Sequence, residues 1–217
     1  MNKKILNQLI LDLGKGEINA EYVKDTFDID ITKSYNNINE WADAIDDAIL
    51  HRYFSKVWQP DMKKWKHSGL QLIDEVNNLR PRNVLDVGCG YNEFKGKINF
   101  LTGIDPYNDK ADILIKTIDY TPKQKFDVIL CLGSINFGSQ SKIETEVAHC
   151  ASLLEKGGTM FFRVNPGVKH DKPESKWIDF YAWNVPFIIE LAEKLNLKVL
   201  DIRDDTNKRK YFVYRKI

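Results

Sequence analysis

Apolar residues along the chain follow two different periods. Up to Pro81 they recur at helical spacing. Ile5, Leu6, Leu9, Ile10 and Leu13 share one face, and Gly14 and Gly16 end that helix. Asn19 suits the cap of a short helix carrying Tyr22, Val23 and Phe27. Residues 28–36 are polar and mixed and read as loop. Ile38, Trp41, Ala42, Ile45, Ala48, Ile49 and the Arg52-Tyr53 pair resume the i, i+3, i+4 pattern. Pro60 breaks the chain. Trp65, Gly69, Leu72, Val76 and Leu79 then predict one more helix, ending at Arg80-Pro81.

From Asn83 the period changes to short apolar runs alternating with helical stretches. Strands are predicted at 84–87, 100–104, 112–115, 126–132 and 159–164. The gap from Asn92 to Phe100 is interrupted by Gly96 and leaves room only for a short helix. A helix over 142–154 closes at Lys156-Gly157-Gly158, and another ends near Leu195. The chain finishes as a strand pair, 198–202 and 211–215, around a polar turn at 203–207. Alternation of this kind builds an α/β fold whose mainly parallel sheet is covered by helices on both faces. Residues 1–80 are expected to form an N-terminal helical cap, and residues 81–217 the sheet domain.

The first strand carries the chemistry. Residues 83–92 read Asn-Val-Leu-Asp-Val-Gly-Cys-Gly-Tyr-Asn. Asp86 interrupts a buried apolar run near its carboxyl end, where a carboxylate is costly without a hydrogen-bond donor or a cation. Gly88 and Gly90 allow a tight turn and close backbone approach to a ligand. Open parallel sheets bind ligands beyond the carboxyl ends of their strands. A dinucleotide loop would need a third glycine where Glu93 stands, and a carboxylate there would repel a diphosphate. What remains is Asp86-x-Gly88-x-Gly90-x-Asn92. Asn92 tolerates the left-handed backbone that a glycine would adopt.

Composition narrows the function. Among 217 residues, 32 Lys and Arg balance 31 Asp and Glu, a net charge of +1. No global field therefore attracts nucleic acid or an acidic membrane. No apolar run approaches the ~20 residues of a membrane span. Lys3 and Lys4 precede an apolar stretch broken by Asn7, Gln8 and Asp12, which is not a signal peptide. Cys89, Cys131 and Cys150 have no metal spacing and read as free thiols in a reducing, cytoplasmic setting. His51, His67, His149 and His170 are scattered, so no metal site is expected.

The loop resembles the first motif of the class I S-adenosylmethionine-dependent methyltransferases, Asp/Glu-x-Gly-x-Gly-x-Gly. Three further matches follow in order: Gly103-Ile104-Asp105, Phe126-Asp127-Val128-Ile129 and Leu153-Leu154-Glu155-Lys156-Gly157-Gly158. Asn92 and Lys156 depart from the usual glycine and proline. The resemblance spans residues 81–217 and implies a seven-stranded sheet with an antiparallel last strand. It implies S-adenosylmethionine as cofactor. Asp86, Gly88, Cys89 and Gly90 would hold its methionine end, and Asp105, followed by Pro106, its ribose. Asp119 would take the adenine, with Lys116 or Thr117 as alternatives. Leu132 and Gly133 would line the methyl-transfer channel.

Methyl transfer from a sulfonium is an in-line displacement that chiefly needs alignment and exclusion of water. No dedicated nucleophile is required, so no catalytic residue is assigned. His170 is the candidate base if the acceptor must lose a proton, with a solvated loop histidine as the alternative. Ser134 and Asn136 are candidates to orient an acceptor; the alternative is a polar loop cap. Tyr53, Trp58, Trp177, Tyr181 and Trp183 are candidate pocket residues, with a place in the core as the alternative for Trp58 and Trp177. The acceptor is expected to be a small molecule. The basic stretches 63–67 and 208–210 read as the wet side of a helix and a solvated hairpin, with nucleic acid or protein as the competing acceptor. A binding module without catalysis, or another use of the cofactor, would fit the same loop.

Overall fold

In a computed structural model, which describes residues 3–17, 19–27 and 38–217, the chain divides into two units. One contains Met1–Gln59 with Lys169–Asp179, and the other Pro60–Val168 with Phe180–Ile217.

The first unit holds helices α1 (Lys3–Gly14), α2 (Ala20–Phe27) and α3 (Ile38–Arg52). Asn19 caps α2 as expected, its side-chain oxygen accepting the Tyr22 N–H at 2.8 Å. The loop expected at 28–36 lies outside the described residues. Leu9, Val23, Ile45 and Ile49 are buried, as their spacing requires. Helix α3 runs into a π-helical turn, Tyr53–Val57, that buries Tyr53. The returning segment makes a 3-10 turn at Pro173–Trp177, and the Ser175 hydroxyl donates to the His170 carbonyl at 2.6 Å.

The second unit is built on the sheet. Helix α4 (Leu72–Asn78) leads into β1 (Val84–Val87), followed by β2 (Leu101–Asp105), β3 (Ile113–Leu114) and β4 (Phe126–Leu132). Then come α5 (Gln140–Leu153), β5 (Leu154–Val164), α6 (Val185–Lys194), β6 (Leu197–Asp204) and β7 (Lys210–Lys216). The seven strands lie in the order β3-β2-β1-β4-β5-β7-β6, all parallel except β7, which runs against both neighbours. Alternate residues feed two cores. Leu85, Val87, Ile129 and Phe162 pack beneath α5 and α6. Val84, Leu130, Phe161 and Val213 pack with Leu72 and Val76 of α4. Helices thus cover both faces. Strand order reverses between β1 and β4, so the crevice beyond their carboxyl ends is the natural ligand position.

Three expectations need correction. The helix expected through Trp65 and Gly69 is confined to α4; residues 65–71 bend instead. A Cβ on Gly69 would stand 2.1 Å from the Met62 carbonyl, so this close chain contact replaces helical packing. Between Asn92 and Phe100 there is no helix, only turns that bury Phe94 and Ile98. Lys156-Gly157-Gly158 does not close α5, because β5 already begins at Leu154. The side chain of Ser139 caps the start of α5, accepting the Lys142 N–H.

Candidate cofactor site

The site begins with a buried carboxylate on β1. Asp86 is 4% exposed, and among the described residues no group donates a hydrogen bond to it. Burial, with the charge of Asp105 added, pushes its carboxyl up to about 7. An arrangement this costly calls for a cationic or hydrogen-bonding ligand.

The loop after β1 is held open by left-handed backbone at Gly88 (φ 64°), Gly90 (φ 54°) and Asn92 (φ 56°). Asn92 therefore does adopt the conformation expected of it. It is buried, and its amide donates to the Lys110 carbonyl at 3.0 Å. The Cys89 N–H donates to Ile104 O at 3.0 Å, carrying the β1–β2 pairing two residues past Val87 into the loop. Cys89 Sγ and Asn92 Oδ1 both press on Gly103, where a Cβ would meet them at 2.9 and 2.6 Å. Gly103 is therefore required for close packing. Burial, then Asp86, Asp105 and Asp112, push the Cys89 thiol up, which makes it a poor nucleophile.

Asp105 ties the second strand to this loop. Its carboxylate accepts N–H groups from Gly90 at 3.0 Å, Tyr107 at 2.7 Å and Asn108 at 3.0 Å. Pro106 lies inside the turn so formed. A carboxylate has about four acceptor positions, so one remains for a ligand hydroxyl. Asp112 braces the same strand, accepting the Gly103 N–H and the Lys95 ammonium, each at 2.8 Å.

The end of β4 closes the loop from the other side. Leu132 is half-buried against the α4 core, and Gly133 turns the chain with φ 105°. Ser134 lies against Gly88, and its buried hydroxyl has no hydrogen-bond partner among the described residues. Asn136 is 2% exposed, and its side-chain oxygen accepts the Asn165 N–H at 2.7 Å, tying the ends of β4 and β5 together. Asp119 is exposed in a 3-10 turn, Thr117–Asp119, just beyond β3. His170 belongs to the helical unit, where its Nδ1 and the Tyr53 hydroxyl are 2.8 Å apart.

Sequence reasoning missed two relationships. One is the Tyr53–His170 pair. The other is Arg163 on β5, 6% exposed, whose Nε lies 3.4 Å from the Asp205 carboxylate. Its signal was present: one charged residue in the apolar run Met160-Phe161-Phe162-Arg163-Val164.

The residues present fit S-adenosylmethionine. A buried, unsatisfied carboxylate suits its ammonium, and the left-handed glycine loop leaves a cradle without Cβ atoms. An unpartnered hydroxyl and one acceptor position on Asp105 lie on either side.

The architecture is that of the class I S-adenosylmethionine-dependent methyltransferases. Among solved structures, the chain is similar to the 1,6-didemethyltoxoflavin-N1-methyltransferase of Burkholderia thailandensis, with bound 1,6-didemethyltoxoflavin and S-adenosylhomocysteine. That match has a TM-score of 0.61 and 15% identity, covering 85% of this chain and 92% of the other. It is also similar to magnesium protoporphyrin IX methyltransferase of Synechocystis with bound S-adenosylmethionine, at TM-score 0.55 and 13% identity over 79% and 97% of the two chains. A methyltransferase of Clostridium acetobutylicum aligns at TM-score 0.54 and 14% identity, over 82% and 98%. No family model and no curated protein sequence matches the chain.

Proposed function

We propose that the protein is an S-adenosylmethionine-dependent methyltransferase acting on an N or O atom of a small-molecule acceptor. The observation that carries this reading is Asp86, a buried carboxylate with no hydrogen-bond donor among the described residues, at the sheet's switch point beside a glycine loop. The structural neighbours named above include enzymes acting on didemethyltoxoflavin and magnesium protoporphyrin, which supports a small acceptor.

When bound, S-adenosylmethionine supplies a methyl group already activated by its sulfonium. Asp86 would pair with the ammonium, and Gly88 and Gly90 would let the backbone approach. Asp105 would accept a ribose hydroxyl at its remaining acceptor position. We reassign Ser134 from the acceptor to the cofactor's amino-acid end, because it touches Gly88. Asn136 is a positioning residue, since its carbonyl is committed to Asn165. Asp119 keeps the adenine role, and Leu132 and Gly133 the channel. His170, oriented by Tyr53, is the proposed base for the acceptor. A reducing, cytoplasmic setting belongs to the same reading, on the three free thiols.

Calorimetry with S-adenosylmethionine and S-adenosylhomocysteine tests the cofactor. Absence of binding by either at millimolar concentration rejects the reading. A metabolite screen that follows S-adenosylhomocysteine release then identifies the acceptor.

A further inference from the structure

Two basic stretches far apart in sequence form one surface. Residues 64–68 are laced to the β6–β7 hairpin. The Lys66 N–H donates to Asp205 at 2.7 Å and to the Thr206 hydroxyl at 3.0 Å, and that hydroxyl donates to the Lys64 carbonyl at 2.9 Å. The Ser68 hydroxyl also donates to Asp205. The stretch with Lys63, Lys64 and Lys66 is thereby joined to the turn that carries Lys208, and all four lysines are exposed. Lys64 pairs with Asp61 at 2.8 Å, and Lys210 pairs with Asp204. Lys63, Lys66 and Lys208 have no acidic partner among the described residues. Asp205, which holds the two stretches together, faces Arg163, so its charge does not cancel the rim.

The hairpin tip adds a second, independent observation. Asn207 (φ 61°) and Lys208 (φ 58°) are both left-handed. Tight hairpins normally place glycine at the second such position, where a side chain is strained. Here a lysine stands in that strained position, and it is exposed.

The rim also lies on the functional side of the sheet. Val164 at the carboxyl end of β5 pairs with Lys210. Gly88 lies three strands away from β7, roughly 15 Å at the ~4.8 Å spacing of neighbouring strands.

We propose that this rim docks a nucleic-acid strand through its phosphates. Protein partners favour an apolar, lysine-poor centre. The rim is rich in lysine, and none of its exposed residues is a large hydrophobic. Lysines on exposed backbone are the usual neutralisers of a phosphodiester chain. Trp65 is not a free stacking platform, because the Arg163 guanidinium covers its ring at 4.3 Å. Recognition is therefore electrostatic and independent of base sequence. With a net charge of +1 behind it, the rim acts locally.

The test is fluorescence anisotropy of the full chain with labelled mixed-sequence RNA and DNA strands of about 20 nucleotides, read without cofactor so that it is independent of methyl transfer. About three phosphate contacts predict a loss of roughly twenty-fold in affinity between 50 and 200 mM salt. Lys208→Gly removes one charge and relieves the turn. It should weaken binding several-fold while melting no earlier than the parent. Lys63→Ala with Lys66→Ala should do the same and flatten the salt slope. Lys123→Ala with Lys125→Ala, just before the amino end of β4, is the control and should bind as the parent does. No binding at low salt, an equal loss in the control, or tighter binding of poly-glutamate than of the oligonucleotides would overturn the proposal.

Discussion

Gly88 and Ser134 meet so closely that a Cβ on Gly88 would fall 2.3 Å from the Ser134 Cβ. The glycine is therefore fixed by two demands at once. Its backbone is left-handed, and the end of β4 occupies the space where a side chain would stand. This contact joins the loop after β1 to the strand on the far side of the switch point, and it leaves the Ser134 hydroxyl buried beside the cradle.

Gly88→Ala should accordingly combine a backbone penalty of about 1–2 kcal/mol with an overpacking cost of similar size. Thermal melting should show the loss in the ligand-free protein, and calorimetry a parallel loss of cofactor affinity. Ser134→Gly in the same chain should recover the overpacking part but not the backbone part. If the double variant melts no higher than Gly88→Ala alone, the close contact is not what fixes the glycine.

Asp86 is expected to make cofactor binding pH-dependent. Its folded-state pKa of about 7 lies above the ordinary value of 3.8, so the native protein holds a proton that the unfolded chain has lost. Ligand-free stability should fall as pH rises from about 4 to about 7. Affinity for a cationic ligand should move oppositely, dropping about tenfold per unit of pH below 7, because the neutral carboxyl must first ionise. Asp86→Asn should abolish both trends, melting higher at pH 8 while losing the cofactor. Calorimetry from pH 5.5 to 8.5 reads the affinity, and denaturation over the same range the ligand-free stability. A flat affinity profile in the parent would remove Asp86 from the ammonium.

The sheet was legible because its strands are apolar runs ended by Asp86, Asp105 and Gly133, and that signal is local. Asn92 in a left-handed turn was legible for the same reason. Trp65 falls at helical spacing from Leu72, but the residues after it are held by Asp205, which accepts the Lys66 N–H from some 140 residues away in the chain, and its own ring lies under Arg163. Sequence places Ser134 beyond β4 and shows no link to the loop after β1. Only the parallel pairing of β1 with β4 brings it to Gly88. The Tyr53–His170 pair likewise joins two segments with no common pattern.

That pair gives a kinetic expectation. If His170 takes the acceptor proton, His170→Ala should lower kcat by about 10²-fold or more and leave S-adenosylmethionine affinity unchanged. Tyr53→Phe removes the hydroxyl at 2.8 Å from Nδ1, so it should lower kcat by a smaller factor, again with S-adenosylmethionine affinity unchanged. Both variants need the acceptor from the metabolite screen. An unchanged kcat in His170→Ala would place the base elsewhere or show that none is needed.

Arg163 and Asp205 form a buried pair whose members should not be equally costly to remove. Asp205 accepts from the Ser68 hydroxyl and from the N–H groups of Lys66, His67 and Thr206. Without Arg163, the carboxylate is still surrounded by donors. Without Asp205, Arg163 keeps, among the described residues, the Thr206 carbonyl at 3.2 Å and the face of Trp65. Asp205→Ala should therefore cost about 3–5 kcal/mol, as a stranded buried cation does, and Arg163→Met distinctly less. Burial pushes the Asp205 carboxyl up, but Ser68, the Thr206 and Lys66 N–H groups and Arg163 outweigh it and hold it below the ordinary range. Its contribution is thus present above about pH 4 and lost as the pH falls through its folded-state value. Urea denaturation at pH 7 should show the full gap between parent and Asp205→Ala, and at about pH 3 a narrower one. If Arg163→Met is as costly as Asp205→Ala at pH 7, the guanidinium rather than the carboxylate is the centre of this network.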